Sequence, residues 1–377
     1  MTSPLVSTTD LAASLSGDEP PVLLDVRWRL GGPPGREDYA RGHLPGAVFL
    51  DLDADLAAPP GPAGRHPLPE PADLQRVLRA AGVRDGAPVV VYDADNGSIA
   101  ARLWWLLRWG GHAQVRVLDG GYAAWQAEGR PVTTDVPAPE RGDITVRPGH
   151  MPVVDADGAA TLARTGVLLD ARAPERYRGD VEPIDPKGGH VPGARNAPFA
   201  AHTGADGRWR TPEELAAHFA KVGVPAKVDG PEVGVSGEAG VPDKVGGSEA
   251  GLAGEVGVPD GVGGSEVEVS GKARVHHKVP EAEVEVPGEV GGPEVRAPQE
   301  VGVPGKAGMS EKGEAYGESA AQIGAYCGSG VTATSVVLAL EIAGITRPDA
   351  PATLYAGSWS NWSADPARPV ATGDEPA

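Results

Sequence analysis

IGAYCGSGVTATSVVLALEIAG, residues 323–344, decides how the rest of the chain is read. Ile323 to Tyr326 read as a short apolar strand, Cys327 stands at its end, and GSGVT forms a small loop before a helix that starts near Val331. A loop between a strand's carboxyl end and a helix turns successive backbone N–H groups, and the positive end of the helix dipole, toward its own centre. A thiolate at Cys327 is stabilised there. Gly328 and Gly330 let the backbone curl, while Ser329 and Thr332 supply hydroxyls. A lone cysteine serves more often as buried filler than as nucleophile. Filler has no need of a Gly-Ser-Gly-Thr cradle, so the loop favours the nucleophile.

The chain carries the same pattern twice. VLLDVR (22–27), GHLPGAV (42–48), VVVYD (89–93), SIAARLWWLLRWGG (98–111) and VRVLDGGYAAW (115–125) come first. They return in order as VLLDAR (167–172), GHVPGAR (189–195), IGAYC (323–327), VTATSVVLALEIAGI (331–345) and ATLYAGSWSNW (352–362). Each copy alternates Val/Leu/Ile-rich strands with helical patterns, an α/β arrangement in which a parallel sheet is covered on both faces. Asp93 to Gly110 and Cys327 to Gly344 both span 17 residues, which puts Asp93 in the cysteine's place in the first copy. PADLQRVLRAAG (71–82) and TPEELAAHFAKVG (211–223) read as further helices, the second opened by a Thr211/Glu214 capping box. Residues 151–166 open the second copy, and 137–149 connect the two.

The copies differ in one spacing. His43 to Asp93 is 50 residues, but His190 to Cys327 is 137. The excess lies in 224–319, where units such as GVPDKVGGSEAG and VPGEVGGPE recur with eight Lys and Arg against eighteen Asp and Glu. Little apolar bulk and frequent Pro-Gly breaks cannot offset the entropy of ordering, so this tract is expected to be disordered. The expected domains are therefore 5–140, without the cysteine, and 151–372, catalytic and interrupted by 224–319.

Composition narrows the function. The 377 residues are enough for two domains of ordinary size. A net charge of −19 argues against nucleic acid or an anionic membrane as partner. One cysteine forms no intramolecular disulfide. The first twenty residues lack a secretory pattern, and no run approaches the ~18 apolar residues of a membrane span. A cytoplasmic monomer is expected.

LDVR, the paired GH(L/V)PGA, CGSGVTA and the terminal GSWSNWSADPARPVATG together resemble the two-domain rhodanese-type sulfurtransferases, which include thiosulfate and 3-mercaptopyruvate sulfurtransferases. The resemblance covers nearly everything outside 224–319. It implies tandem rhodanese-like α/β domains, each a parallel sheet flanked by helices, with the long insert in the second. It also implies transfer of a sulfane sulfur to cyanide or a thiol through a persulfide on Cys327, with no cofactor and no metal. Loop residues Gly328, Gly330, Val331 and Thr332 are expected to hold the transferred sulfur, and Arg176 in ERYRG the donor's anionic group. In mercaptopyruvate enzymes a second arginine usually follows nine residues later. That position is Asp185 here, leaving Arg178 or Lys187 as substitutes. Such enzymes also set a Ser with an Asp and a His of the first domain; Ser329, Asp53 and His66 match.

Neutral residues after the cysteine favour 3-mercaptopyruvate over thiosulfate as donor. The alternatives are a thiosulfate:cyanide sulfurtransferase and a non-catalytic rhodanese-like interaction protein. A cysteine phosphatase needs an arginine six residues after the cysteine, where Ala333 stands. No Cys/His spacing suits a metal. His43 and His190 recur in both copies although only one has a thiol, so they are expected to fix turns.

Overall fold

The computed structural model describes residues 3–226 and 322–376. Val224, the first residue of the expected insert, is buried and donates its N–H to Phe219 O at 3.0 Å. The remainder of that insert, from 227 on, lies outside the described residues, apart from which the two copies stand side by side.

In the first copy, β1 (Leu5–Val6), α1 (Thr8–Leu15), β2 (Val22–Asp25), α2 (Gly35–Arg41), β3 (Val48–Phe49), α3 (Leu52–Asp55) and α4 (Pro71–Ala80) precede the central β4 (Val89–Tyr92). Then come α5 (Ala100–Trp109), β5 (Val115–Leu118) and α6 (Gly121–Ala127). The second copy runs β6 (Val153–Val154), α7 (Ala156–Thr165), β7 (Val167–Asp170), α8 (Pro174–Arg178), β8 (Arg195–Asn196) and α9 (Pro212–Lys221). It closes with β9 (Ile323–Tyr326), α10 (Ala333–Ile342), β10 (Thr353–Tyr355) and α11 (Ser358–Ala364). Both sheets are parallel, ordered β1-β5-β4-β2-β3 and β6-β10-β9-β7-β8. The capping box at Thr211 and Glu214 forms as the sequence predicts.

The order of strands places the site. The chain leaves β7 toward β8 on one side, then returns past β7 to β9 and moves on to β10. Loops following β7 and β9 therefore diverge, opening a crevice at the carboxyl edge where ligands bind in sheets of this kind. Residues 171–176 and 327–332 are those loops.

Why the strands hold is plain from burial. β4 and β9 are buried along their whole length, as expected of strands covered on both faces. α5 and α10 are apolar on nearly every side and pack against each other, so one core joins both copies from Leu24 and Trp105 to Val337 and Leu354. The LDxR motifs tie strand ends to the following turns. Asp25 accepts from the N–H and Nε of Arg27, whose Nη2 donates to Gly42 O at 2.8 Å; Asp170, Arg172 and Gly189 O repeat the arrangement. His43 and His190 are fully buried, stack on Tyr39 and Tyr177 at 3.7 Å between ring centres, and contact those residues' carbonyls through Nδ1. They fix turns.

Candidate active site

Cys327 leaves β9 at the crevice, 2% exposed, on the wall of a cavity of about 370 Å³ that both copies line. Its Sγ accepts the N–H of Gly330 at 3.1 Å. The N–H groups of Gly328, Ser329, Val331 and Thr332 have no acceptor among the described residues. An incoming anion thus meets a ring of unused donors rather than a closed turn. Gly330 needs its left-handed φ of 83°, and a Cβ there would lie 2.3 Å from Ala356 O. α10 begins at Ala333, after a tight turn in which Thr334 N–H bonds Val331 O, slightly later than the sequence predicts.

The turn into α11 supports this loop from behind. Trp359 and Ser360 donate N–H groups to the carbonyls of Cys327 and Gly328, both at 2.9 Å. Ser358 accepts the N–H of Cys327 at 3.1 Å and sits at φ 53°, the left-handed region where the first copy has Gly121 at 55°. A non-glycine residue held there stores strain beside the site. Sequence reasoning missed Ser358; its signal was a serine where the other copy carries glycine.

Asp93 shows what the same loop does without a thiol. Its buried carboxylate accepts the N–H groups of Gly97 and Ile99 at 2.9 Å and of Ala100 at 3.1 Å. The first copy's anion cradle is filled by its own side chain.

Ser329, His66 and Asp53 come together. Ser329 Oγ lies 2.7 Å from His66 Nδ1, and His66 Nε2 lies 2.8 Å from Asp53 Oδ1. Asp53 also accepts Trp28 Nε1 at 2.9 Å. Because the carboxylate can only accept, neutral His66 carries its proton on Nε2 and receives the Ser329 hydroxyl on Nδ1. Burial lowers the His66 pKa below 6.5 against the opposing pull of Asp53, so the ring is neutral at pH 7. Asp53 stands more than half exposed, which connects the buried serine to solvent.

Arginines surround the loop. Arg176 lies beside Gly328, as the resemblance implies, but Glu182 and Asp185 hold its Nε and Nη2. Neither expected substitute for the second arginine reaches the site: Arg178 turns to Asp180 and Asp374, and Lys187 donates to Asp365 O. Arg65 and Arg102, both from the first copy, were not found from sequence. Arg102 is fully buried and donates to the carbonyls of Gly330, Leu56, His66 and Pro67. Burial pushes its guanidinium down to about 10, still charged at neutral pH.

Two parallel-sheet α/β domains, of which one presents a cysteine in an amide-lined loop, define a tandem rhodanese-like protein. Residues 7–128 match the Rhodanese-like domain family. A probable 3-mercaptopyruvate sulfurtransferase of Pseudomonas aeruginosa is 36% identical over 98% of each chain. The putative thiosulfate sulfurtransferase SseB of Mycobacterium tuberculosis is 33% identical over 98% of this chain and 97% of its own. The crystal structure of SseA from Escherichia coli, a 3-mercaptopyruvate enzyme by its description, covers 95% of this chain and 100% of its own with a TM-score of 0.63 at 24% identity, a likeness of fold. The chain belongs to the rhodanese-type sulfurtransferases and is an enzyme of that class.

Proposed function

We propose that the protein moves sulfur from 3-mercaptopyruvate to cyanide or a thiol through a persulfide on Cys327. The observation that carries the choice of donor is the Ser329–His66–Asp53 relay beside the thiol. Cys327 thiolate attacks the donor sulfur, the S–S bond forms, and the C–S bond breaks toward carbon 3 of pyruvate. Net, the proton of the donor thiol must travel from sulfur to that carbon. Neutral His66, acting through the Ser329 hydroxyl, takes the proton and returns it, with Asp53 balancing the transient imidazolium. Thiosulfate needs none of this, because sulfite leaves as an anion without a proton. The unused N–H groups of 328–332 hold the anionic outer sulfur until cyanide or a thiolate removes it and restores the Cys327 thiolate.

This reading assigns Arg176 and the loop residues to donor binding, residues 5–140 to a domain without a thiol, and 151–372 to the catalytic one. It takes the enzyme as a cytoplasmic monomer that acts on small molecules. Among the described residues, no helix is long and apolar enough to cross a membrane. The deciding experiment compares kcat/KM for 3-mercaptopyruvate and thiosulfate with cyanide as acceptor. A higher value for 3-mercaptopyruvate is expected; a higher one for thiosulfate would reverse the assignment of donor.

A further inference from the structure

The first copy's counterpart of the cysteine loop, residues 94–99 between β4 and α5, lies on the wall of the same cavity as Cys327. Asp93 occupies the amides of that loop, so it offers no anion cradle and presents side chains instead. Ser98 is 7% exposed and lines the cavity, and its hydroxyl meets no partner among the described residues. Asn96 accepts the Ser98 N–H through Oδ1 at 3.1 Å, which leaves its Nδ2 hydrogens unused. Asp95 stands exposed at the rim, without an ion-pair partner among the described residues. Arg29, on the segment after β2, lines the same cavity; it is 66% exposed and reaches only Asp38, at 3.8 Å.

This loop is held before any ligand arrives. Asp93 accepts the Asp95 N–H at 3.2 Å in addition to those of Gly97, Ile99 and Ala100. From the second copy, Trp209 closes over Gly97, where a Cβ would lie 2.9 Å from its Nε1, and a Cβ on Gly207 would lie 3.1 Å from Asp95 O. Side chains on a loop so closely fixed bind at little further cost in ordering.

The cavity, about 370 Å³, is of the size that encloses ligands much larger than a three-carbon donor. Asp95 disfavours an anionic donor on this wall, whereas one free carboxylate, one free guanidinium and two neutral hydrogen-bonding groups complement a zwitterion. We infer that Asp95, Asn96, Ser98 and Arg29 form an acceptor subsite for a small zwitterionic thiol, an α-amino acid whose ammonium meets Asp95 and whose carboxylate meets Asn96 Nδ2, the Ser98 hydroxyl and Arg29; this rests on the reading that Cys327 carries the sulfur as a persulfide. The acceptor's thiolate comes in line with the S–S bond from the open cavity, since the amide loop lies behind it. It bonds the outer sulfur as the bond to Cys327 breaks, and the electron pair of that bond returns to Cys327 Sγ. A persulfide of the amino acid leaves, the Cys327 thiolate is restored, and no oxidant enters.

The test loads the protein with sulfur, removes the donor, and follows loss of the 32-dalton adduct by quenched-flow mass spectrometry with four acceptors. L-cysteine carries both charges, 3-mercaptopropionate lacks the ammonium, cysteamine lacks the carboxylate, and cyanide lacks both. Per thiolate, L-cysteine is expected to discharge the parent about tenfold faster than either truncated thiol, as one charge-assisted contact allows. Asp95→Asn should lower the ratio of L-cysteine to 3-mercaptopropionate about fivefold, and Ser98→Ala the ratio of L-cysteine to cysteamine about threefold, each rate referred to that with cyanide so that damage to the cysteine loop cancels. L-serine, the same head group without sulfur, should compete with L-cysteine on the parent, a readout that stands even if a variant fails to fold. Three thiols within twofold of one another on the parent, ratios unchanged in both folded variants, or no competition by L-serine would overturn the assignment of this wall. Absence of the adduct on the parent after both 3-mercaptopyruvate and thiosulfate would instead sink the persulfide reading itself, so the two failures are distinguishable.

Discussion

A thiol has value in this cavity only if sulfur can arrive as one charge state and leave as another, and individual side chains divide that task. Cys327→Ser keeps the volume and the Gly330 contact, so it should abolish persulfide formation, seen as loss of the 32-dalton adduct by mass spectrometry, while the urea midpoint stays within error. His66→Asn breaks the relay at its middle. Positioned acid–base groups contribute about 10²–10⁴ in rate, so turnover of 3-mercaptopyruvate should fall by about that factor, and thiosulfate turnover by less than tenfold. The pH profile follows from the direction of the His66 shift. Burial lowers its pKa, the neutral ring is the working form, and activity with 3-mercaptopyruvate should be lost on the acid side below pH 6.5. An acid limb above pH 6.5, or an unchanged profile in His66→Asn, would contradict the relay. These residues were legible beforehand because Cys327, Ser329 and His66 stand in recognisable strings. Arg65 was not, since GPAGR carries no periodicity and its partner Asp185 lies 120 residues away.

At the scale of elements, α5 does more than fill the core. Its Arg102 points down between the domains and gathers carbonyls from the loop that carries His66 and from Gly330 of the cysteine loop. Among the described residues no carboxylate contacts it, so the charge is offset by these carbonyl dipoles and by the nearby Cys327 thiolate. Arg102→Leu leaves several buried carbonyls without donors, each costing about 1–3 kcal/mol. A destabilisation of about 3–5 kcal/mol is expected, typical of breaking a buried polar network. Equilibrium urea denaturation measures it, and a loss under 1 kcal/mol would mean water replaces the guanidinium. In the sequence, α5 and α10 were readable as helices from their apolar runs. That an arginine inside such a run holds two loops together was not, because the pattern of apolar residues marks which face is buried and says nothing of what a charged side chain meets there.

For the whole molecule, the duplicated pattern predicted two parallel sheets, and the sheets share one order of strands. What duplication could not reveal is how much the fold stores in buried neutral histidines. His202 is fully buried against Trp209 and Phe219, with His218 5.5 Å away and Arg210 and Lys221 beside that second ring. Burial drives the His202 pKa from 6.5 to about 3, and His66, His112, His190 and His218 shift in the same direction. The sign is fixed by which state binds the proton. Between pH 6.5 and about 3 the unfolded chain protonates His202 and the folded chain does not, so stability falls with pH across that window. Each pH unit below 6.5 costs about 1.4 kcal/mol for such a group, and about 2 kcal/mol is lost by pH 5 from His202 alone. Asp93, Asp119 and Glu341, whose pKa values burial raises, act in the opposite sense as they take up protons in the folded state. Urea midpoints at pH 7.5, 6 and 5 should therefore decline, and His202→Phe, which packs against the same rings without a titrating group, should flatten the slope. An identical decline in that variant would assign the loss to other groups.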